Sequence, residues 1–250
     1  MIPMHDLADM VRRAASLDAE GLLALAVGTF AGRVALATSL GAEDQVLTDM
    51  LARHSLNIAV FTLDTGRLPQ ETYDLIDATR KRYGIAIEVL FPDLADVEQL
   101  VARGGVNLFY GSTENRKACC HARKVLPLRR RLVRLDAWIT GLRREQSITR
   151  QDIARVEWDE AHGLVKINPL ADWTGAQVWD YIRRHDVPYS ALHDKGYPSI
   201  GCAPCTRAVA PGQDARAGRW WWELPDHKEC GLHYPTGAAT KAALLPDRRR

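Results

Sequence analysis

No apolar run in this chain approaches the roughly 20 residues that a helix needs to cross a bilayer, so no membrane role is expected. The start, Met1-Ile2-Pro3-Met4-His5-Asp6, lacks the basic-then-apolar layout of a secretory signal, and a cytoplasmic protein with reduced thiols is expected. Charge of one sign is also missing. Against 33 Lys and Arg stand 31 Asp and Glu, for a net charge of +2, too small by itself to point to a nucleic-acid partner. Cysteine is scarce: five residues, an odd number gathered in three places, make a poor disulfide framework. In a reducing compartment such clusters more often bind metal or catalyse. What is present is ordinary, with 46% apolar and 26% charged residues over 250 positions, enough for a sizeable core.

The first half alternates strand and helix signals. After a helical start with Leu7, Met10, Val11, Leu22, Leu23 and Leu25, Val34-Ala35-Leu36-Ala37 reads as a short buried strand. Val46, Leu47, Met50 and Leu51 follow at helical spacing. Residues 58–63 and 85–90 read as further strands, separated by a helix over 69–83 with Pro69 in its first turn and Gly84 at its end. Residues 137–140 make a fourth strand. This alternation predicts an α/β fold, a Rossmann-like, mainly parallel sheet with helices on both faces. Thr174-Gly175-Ala176-Gln177 fits a capping box opening a helix through Val178, Trp179 and Ile182. Beyond Val187 the chain is rich in Pro and Gly, with little periodicity. The expected division is one α/β domain over 1–205 and a mobile C-terminal segment over 206–250, ending in a solvated Arg248-Arg249-Arg250 tail. No internal repeat is present.

Ligands of a parallel sheet sit beyond the carboxyl ends of its strands. Ser39-Leu40-Gly41-Ala42-Glu43-Asp44 joins the first strand to a helix, and its small residues let backbone N–H groups and a helix N-terminus face an anion. Leu63-Asp64-Thr65-Gly66 follows the second strand, where Gly66 permits a tight turn and close approach by a ring. Alone, each is also an ordinary βα turn. After the fourth strand, Thr140-Gly141-Leu142-Arg143-Arg144-Glu145-Gln146-Ser147 supplies two guanidiniums, whose planar forks match phosphate and sulfate oxygens. Surface solvation with Glu145 as partner is the bland alternative. Three polar strand-end loops on one rim favour an anionic ligand.

Cys119 and Cys120 are adjacent, and Cys202-Ala203-Pro204-Cys205 is a C-x-x-C pair. Together they offer four thiolates to one centre, either tetrahedral zinc or a four-iron cluster. Neighbouring side chains diverge, which suits a cubane with a thiolate at each corner better than one small ion. The alternative, two buried apolar cysteines, fits poorly with Asn115, Arg116, Lys117, His121, Arg123 and Lys124 around the pair. If a helix runs on from Cys120, Lys124 lies one turn along on the same face. Cys230 stands apart in Lys228-Glu229-Cys230-Gly231-Leu232-His233. Lys228 and His233 are close enough in sequence to depress its pKa, and the thiolate is the nucleophilic form. A mobile segment carrying it would close over a substrate and then swing out to another protein. Trp220-Trp221-Trp222 reads as packing, and Arg129-Arg130-Arg131 as a solvated helix face.

Taken together, these motifs resemble the assimilatory adenylyl-sulfate (APS) reductases, the thioredoxin-dependent, iron–sulfur branch of the PAPS/APS reductase family. The resemblance runs from Val34 to Tyr234 and adds Gly218-Arg219-Trp220-Trp221-Trp222-Glu223 to the segments above. It implies an adenine nucleotide α-hydrolase-like fold and a [4Fe–4S] cluster on Cys119, Cys120, Cys202 and Cys205. Lys124 would link that cluster to the substrate sulfate. The Ser39 loop, with Gly41, Glu43 and Asp44, would hold phosphate, and Leu63 and Gly66 would contact adenine through the backbone. Arg143 or Arg144, with Arg216 and Arg219, would bind the phosphosulfate, and His233 would lie beside it. Cys230 would attack the sulfate sulfur and expel AMP, and reduced thioredoxin would release sulfite, on the way to cysteine. Family members are often homo-oligomers. A thiolate approaching an anionic sulfate needs several converging cations whatever the family. Other readings remain: the same chemistry on the 3′-phosphorylated substrate, PAPS, or on both; an ATP-splitting nucleotidyltransferase, whose Ser-Gly-Gly-x-Asp-Ser loop is absent here; and a zinc module binding nucleic acid, which leaves Cys230 unexplained.

Overall fold

The computed structural model describes residues 4–147 and 150–224. Short apolar runs form the strands Val34–Ala37 (β1), Ala59–Leu63 (β2), Ile87–Leu90 (β3) and Ala137–Ile139 (β4). Two further strands, Val156–Asp159 (β5) and Leu164–Ile167 (β6), make a hairpin that the sequence reading does not contain. The helices are Met4–Ala14 (α1), Ala19–Phe30 (α2), Ala42–Arg53 (α3), Gln70–Tyr83 (α4), Leu94–Gly104 (α5), Thr113–Cys120 (α6), Leu126–Leu132 (α7) and Gly175–His185 (α8). Pro69 is the N-cap of α4 rather than a residue of its first turn, and Gly84 ends it. The capping box at α8 forms in full, with the Thr174 hydroxyl accepting from Gln177 N–H and the Gln177 side chain accepting from Thr174 N–H.

The strands lie in the order β3-β2-β1-β4-β6-β5. Pairing is parallel throughout except at β5, an antiparallel edge. Strand side chains alternate between faces, and both faces are covered. Val34, Leu36, Val60 and Ile139 join a core built with α2, α3, α4 and α8. Ala35, Phe61 and Trp138 point the other way, onto Leu128 and Leu132 of α7. This is the expected α/β architecture. Leu22, Leu36 and Leu47 have no exposed surface, and truncating any of them to Ala costs about 2–5 kcal/mol. Among the described residues no helix is long and apolar enough to cross a membrane.

β1 is the pivot. Its neighbours β2 and β4 begin the two halves of the sheet, which run outward in opposite directions. Such a switch point opens a crevice outside the strand ends.

Candidate nucleotide and cysteine site

A cavity of about 510 Å³ fills that crevice, a volume suited to a small ligand. Ser39, Gly41, Glu43 and Asp44 line it from the loop after β1, Leu63 and Thr65 from β2 and its loop, and Thr140, Gly141 and Arg143 from the loop after β4. The N-terminus of α3 belongs to the first of these loops, so unpaired N–H groups face the rim.

One carboxylate binds two of the loops together. Asp44 Oδ2 accepts from Ser39 N–H at 2.6 Å and from Ser39 Oγ at 2.7 Å, and Oδ1 accepts from Gly141 N–H at 3.1 Å. Asp44 is buried, and burial pushes its pKa up to about 6 in spite of these bonds. Gly141 has no alternative here: a Cβ would stand 2.3 Å from Asp44 Oδ1 and 3.1 Å from Asp44 N.

The arginines divide. Arg143 is buried in the cavity wall, its Nε donating to Glu43 Oε1 at 2.8 Å and its Nη1 to Glu145 Oε2 at 2.9 Å. Arg144 turns away, to Asp172 and to the carbonyl of Ile153, and does not line the cavity. Arg150 does line it, also buried, with Nη1 donating to Gln146 Oε1. The sequence reading passed over Arg150, although it sits in the same loop as Arg143 and Arg144. Arg216 and Arg219 reach the cavity from the opposite wall, beside Trp220. Gly66 does not line it; its N–H is held by Asp64 Oδ1.

The cysteine pairs meet next to this wall. α6 ends at Cys120 and passes into a turn of π-helix, His121–Val125, closed by Leu126 N–H on the carbonyl of His121. Turns of this kind are rare and concentrate at functional sites. Lys124 lies in this turn and lines the cavity. The short turn Ala203–Cys205 carries the other pair and is tied to the β2 loop. There Ala203 N–H donates to the carbonyl of Arg67, and Thr65 Oγ1 lies 3.2 Å from Cys202 Sγ. Cys205, Phe109 and Trp220 form a small core against which Cys119, Cys202 and Trp222 pack. Burial pushes the Cys205 thiol up to about 12, with Cys202 adding to the effect and Lys124 and Arg219 opposing it. Burial raises Cys119 as well. The tryptophan run is packing, as expected: Trp220 is 1% exposed. Within the segment expected to be mobile, Trp220 and Trp222 pack in this core, with Trp220 N–H donating to the carbonyl of Cys205. Lys228, Cys230, His233 and the Arg248-Arg249-Arg250 tail lie outside the described residues.

With this geometry in hand, known proteins give a concordant result. The profile of the phosphoadenosine phosphosulfate reductase domain matches residues 33–208. The chain belongs to that family. An adenosine 5′-phosphosulfate reductase of Allochromatium vinosum is 56% identical over 200 residues, 80% of this chain and 78% of the relative. One of Burkholderia cepacia is 52% identical over 223 residues, 89% of each chain. Among solved structures, a phosphoadenylyl-sulfate (PAPS) reductase from Candida auris in a phosphate complex superposes with a TM-score of 0.71 at 27% identity, covering 84% of this chain and 98% of that one. Yeast FAD synthetase shares the fold alone, at a TM-score of 0.54 and 14% identity. The match to the phosphosulfate reductase family covers all three strand-end loops and both cysteine pairs.

Proposed function

We propose that this chain reduces adenosine 5′-phosphosulfate to sulfite and AMP in sulfate assimilation. The observation that carries the reading is the meeting of nucleotide-sized cavity and cation wall. Lys124, Arg143, Arg150, Arg216 and Arg219 all line this cavity together with the β1 and β2 loops. The adenosine lies along the β2 loop and the phosphate faces the Ser39 loop. The cations neutralise the phosphosulfate, which lowers the repulsion against an incoming thiolate. Cys230 is the nucleophile. Its thiolate forms an S–S bond to the sulfate sulfur as the bond from that sulfur to the bridging oxygen breaks, and AMP leaves with the electron pair. One thiolate of a protein dithiol of the thioredoxin class then attacks Cys230 Sγ and releases sulfite; its second thiol closes the disulfide and supplies the electron balance.

Cys119, Cys120, Cys202 and Cys205 would hold a [4Fe–4S] cluster. The donor set fits this group. Three of the four thiols share one apolar corner, where burial disfavours free thiolates and a bound cation would stabilise them. Beside them the indole N–H groups of Trp220 and Trp222 are buried and have no hydrogen-bond partner among the described residues, as donors to cluster sulfur would be. The cluster would supply structural order and electrostatic tuning, since the thiols account for both electrons.

The test is mass spectrometry after incubation with APS and no reductant. A sulfonate on the Cys230 peptide is expected, and sulfite release with that peptide unmodified would defeat the mechanism. Cys230→Ser should stop sulfite formation and keep both the brown colour and nucleotide binding. A strong preference for PAPS in a side-by-side assay would overturn the substrate assignment.

A further inference from the structure

The cations Arg216 and Arg219 come from a stretch with little regular structure. Over 206–224 the chain has one isolated bridge, Thr206 to Arg219, and no described helix or strand. Gly218 lies so close to the chain at Arg207 that a Cβ would stand 2.1 Å from the Arg207 carbonyl. Trp220 adopts φ 39°, a left-handed conformation that a bulky side chain holds only where its surroundings impose it. Something outside this stretch must fix it.

Trp220 N–H on the Cys205 carbonyl and Arg219 Nη1 on Ser199 and Ile200 are part of this, and the charged contact is on α6. Arg116, one turn before the cysteine pair, has no exposed surface, and the side chain of Glu223 is 3% exposed. The two are joined bidentately across 107 positions of sequence, Nε to Oε1 at 2.9 Å and Nη2 to Oε2 at 2.7 Å. The Arg116 guanidinium also lies 4.6 Å from the Trp220 ring centroid, and Arg219 lies 4.6 Å from the same centroid. Glu223 N–H donates to the Trp220 carbonyl, and Arg219 N–H to that of Arg216. One chain of contacts thus runs from α6 through Glu223 and Trp220 to the two cations of the cavity wall.

We infer that the Arg116–Glu223 pair is a latch that positions Arg216 and Arg219 for the sulfated end of the nucleotide. This rests on the function proposed above. Arg116 and Glu223 do not line the cavity; Arg116 also meets Cys120 beside it on α6, and the pair acts on the cavity through Trp220 and the two arginines. A buried pair adds little over well-packed apolar groups, but removing the Glu223 carboxylate takes the bidentate counter-ion from a buried guanidinium and leaves it only Cys120 and the Trp220 ring, which is costly. The segment is the part best able to relieve that cost, by coming away from α6. The strand-end loops, anchored in the sheet, stay where they are.

The prediction is a split between two ligands. In Glu223→Gln, affinity for APS falls about tenfold or more, while affinity for AMP changes by less than about threefold. Iron content is retained, and trypsin cuts sooner within 207–219. The double variant Arg116→Met/Glu223→Met, which removes both charges and keeps the bulk, restores APS affinity to within about threefold of wild type. Should Glu223→Gln fail to fold, Arg116→Lys reads the same ratio with a charge retained. Equal losses of AMP and APS, loss of iron, unchanged APS binding, or a double variant no better than the single would each overturn the latch. Failure of the wild-type protein to turn over APS would instead overturn the function, so the two failures are distinguishable.

Discussion

At the scale of single residues, the carboxylate of Asp44 has its oxygens occupied by Ser39 and Gly141, which leaves it holding the loops rather than reaching for a ligand. Burial raises its pKa from 3.8 to about 6. A carboxyl raised in this way favours the folded state below its unfolded value, and that contribution is lost as pH rises through about 6. The loss amounts to about 3 kcal/mol at most. Between about pH 4 and pH 7 the thermal midpoint of the wild type should therefore drop more steeply than that of Asp44→Asn, which cannot titrate. Parallel slopes by calorimetry would show that Asp44 keeps its ordinary pKa. The arginines give a second contrast. Arg150→Ala removes a charge-assisted donor from the cavity and should cost about 1.5–3 kcal/mol of APS binding. Arg144→Ala, which breaks contacts with Asp172 and Ile153 outside the cavity, should leave APS affinity within about twofold. Titration calorimetry with APS distinguishes them, and equal losses would place Arg144 in the site.

At the scale of elements, the crevice depends on how closely the loop after β4 approaches the N-terminus of α3. Gly141→Ala puts a methyl group into the space of Asp44, so one loop must withdraw. Nucleotide binding should fall by at least about tenfold, with the melting temperature lowered by the loss of the clamp; unaltered AMP binding would show that the loops are more pliant than their contacts indicate. Much of this level was legible in the sequence. β1, β2 and β4 were readable because each is a short, largely buried apolar run bounded by polar loops, and β3, an edge strand with Glu88 exposed, because Ile87, Val89 and Leu90 keep an apolar strand pattern around it. The hairpin was not, because Val156-Glu157-Trp158-Asp159 mixes carboxylates into an edge strand and Lys166 of β6 is paired with Glu157. Charges that find partners only in the fold hide the strand. The helix beyond Cys120 was legible, but its π-turn was not, since no side-chain pattern distinguishes five residues per hydrogen-bonded turn from four. Glu223, visible only as the end of the Gly218–Glu223 motif, has a role that comes from a partner 107 positions away in sequence, and the place of Arg150 in the cavity wall is set by the path of its loop rather than by a motif.

At the scale of the whole molecule, the two cysteine pairs sit on pieces that the sheet does not directly hold. α6 and the Ala203–Cys205 turn meet each other and the 206–224 segment through Phe109, Trp220 and the Arg116–Glu223 pair, whereas the strands and α2, α3, α4 and α8 share a separate core. A cluster joining thiols 82 and more positions apart, from Cys120 to Cys202, would cross-link this corner and couple metal affinity to its folding. Removing iron with a chelator should then act locally. Hydrogen exchange and proteolysis should increase over 113–125 and 200–224, while protection of β1, β2 and β4 is kept. APS affinity should fall with the loss of order in the segment that carries Arg216 and Arg219, and AMP affinity, set by the strand-end loops, should fall less. Uniform loss of protection across the sheet on chelation would mean that the two cores unfold as one unit, and that the corner is not an independent layer of stability.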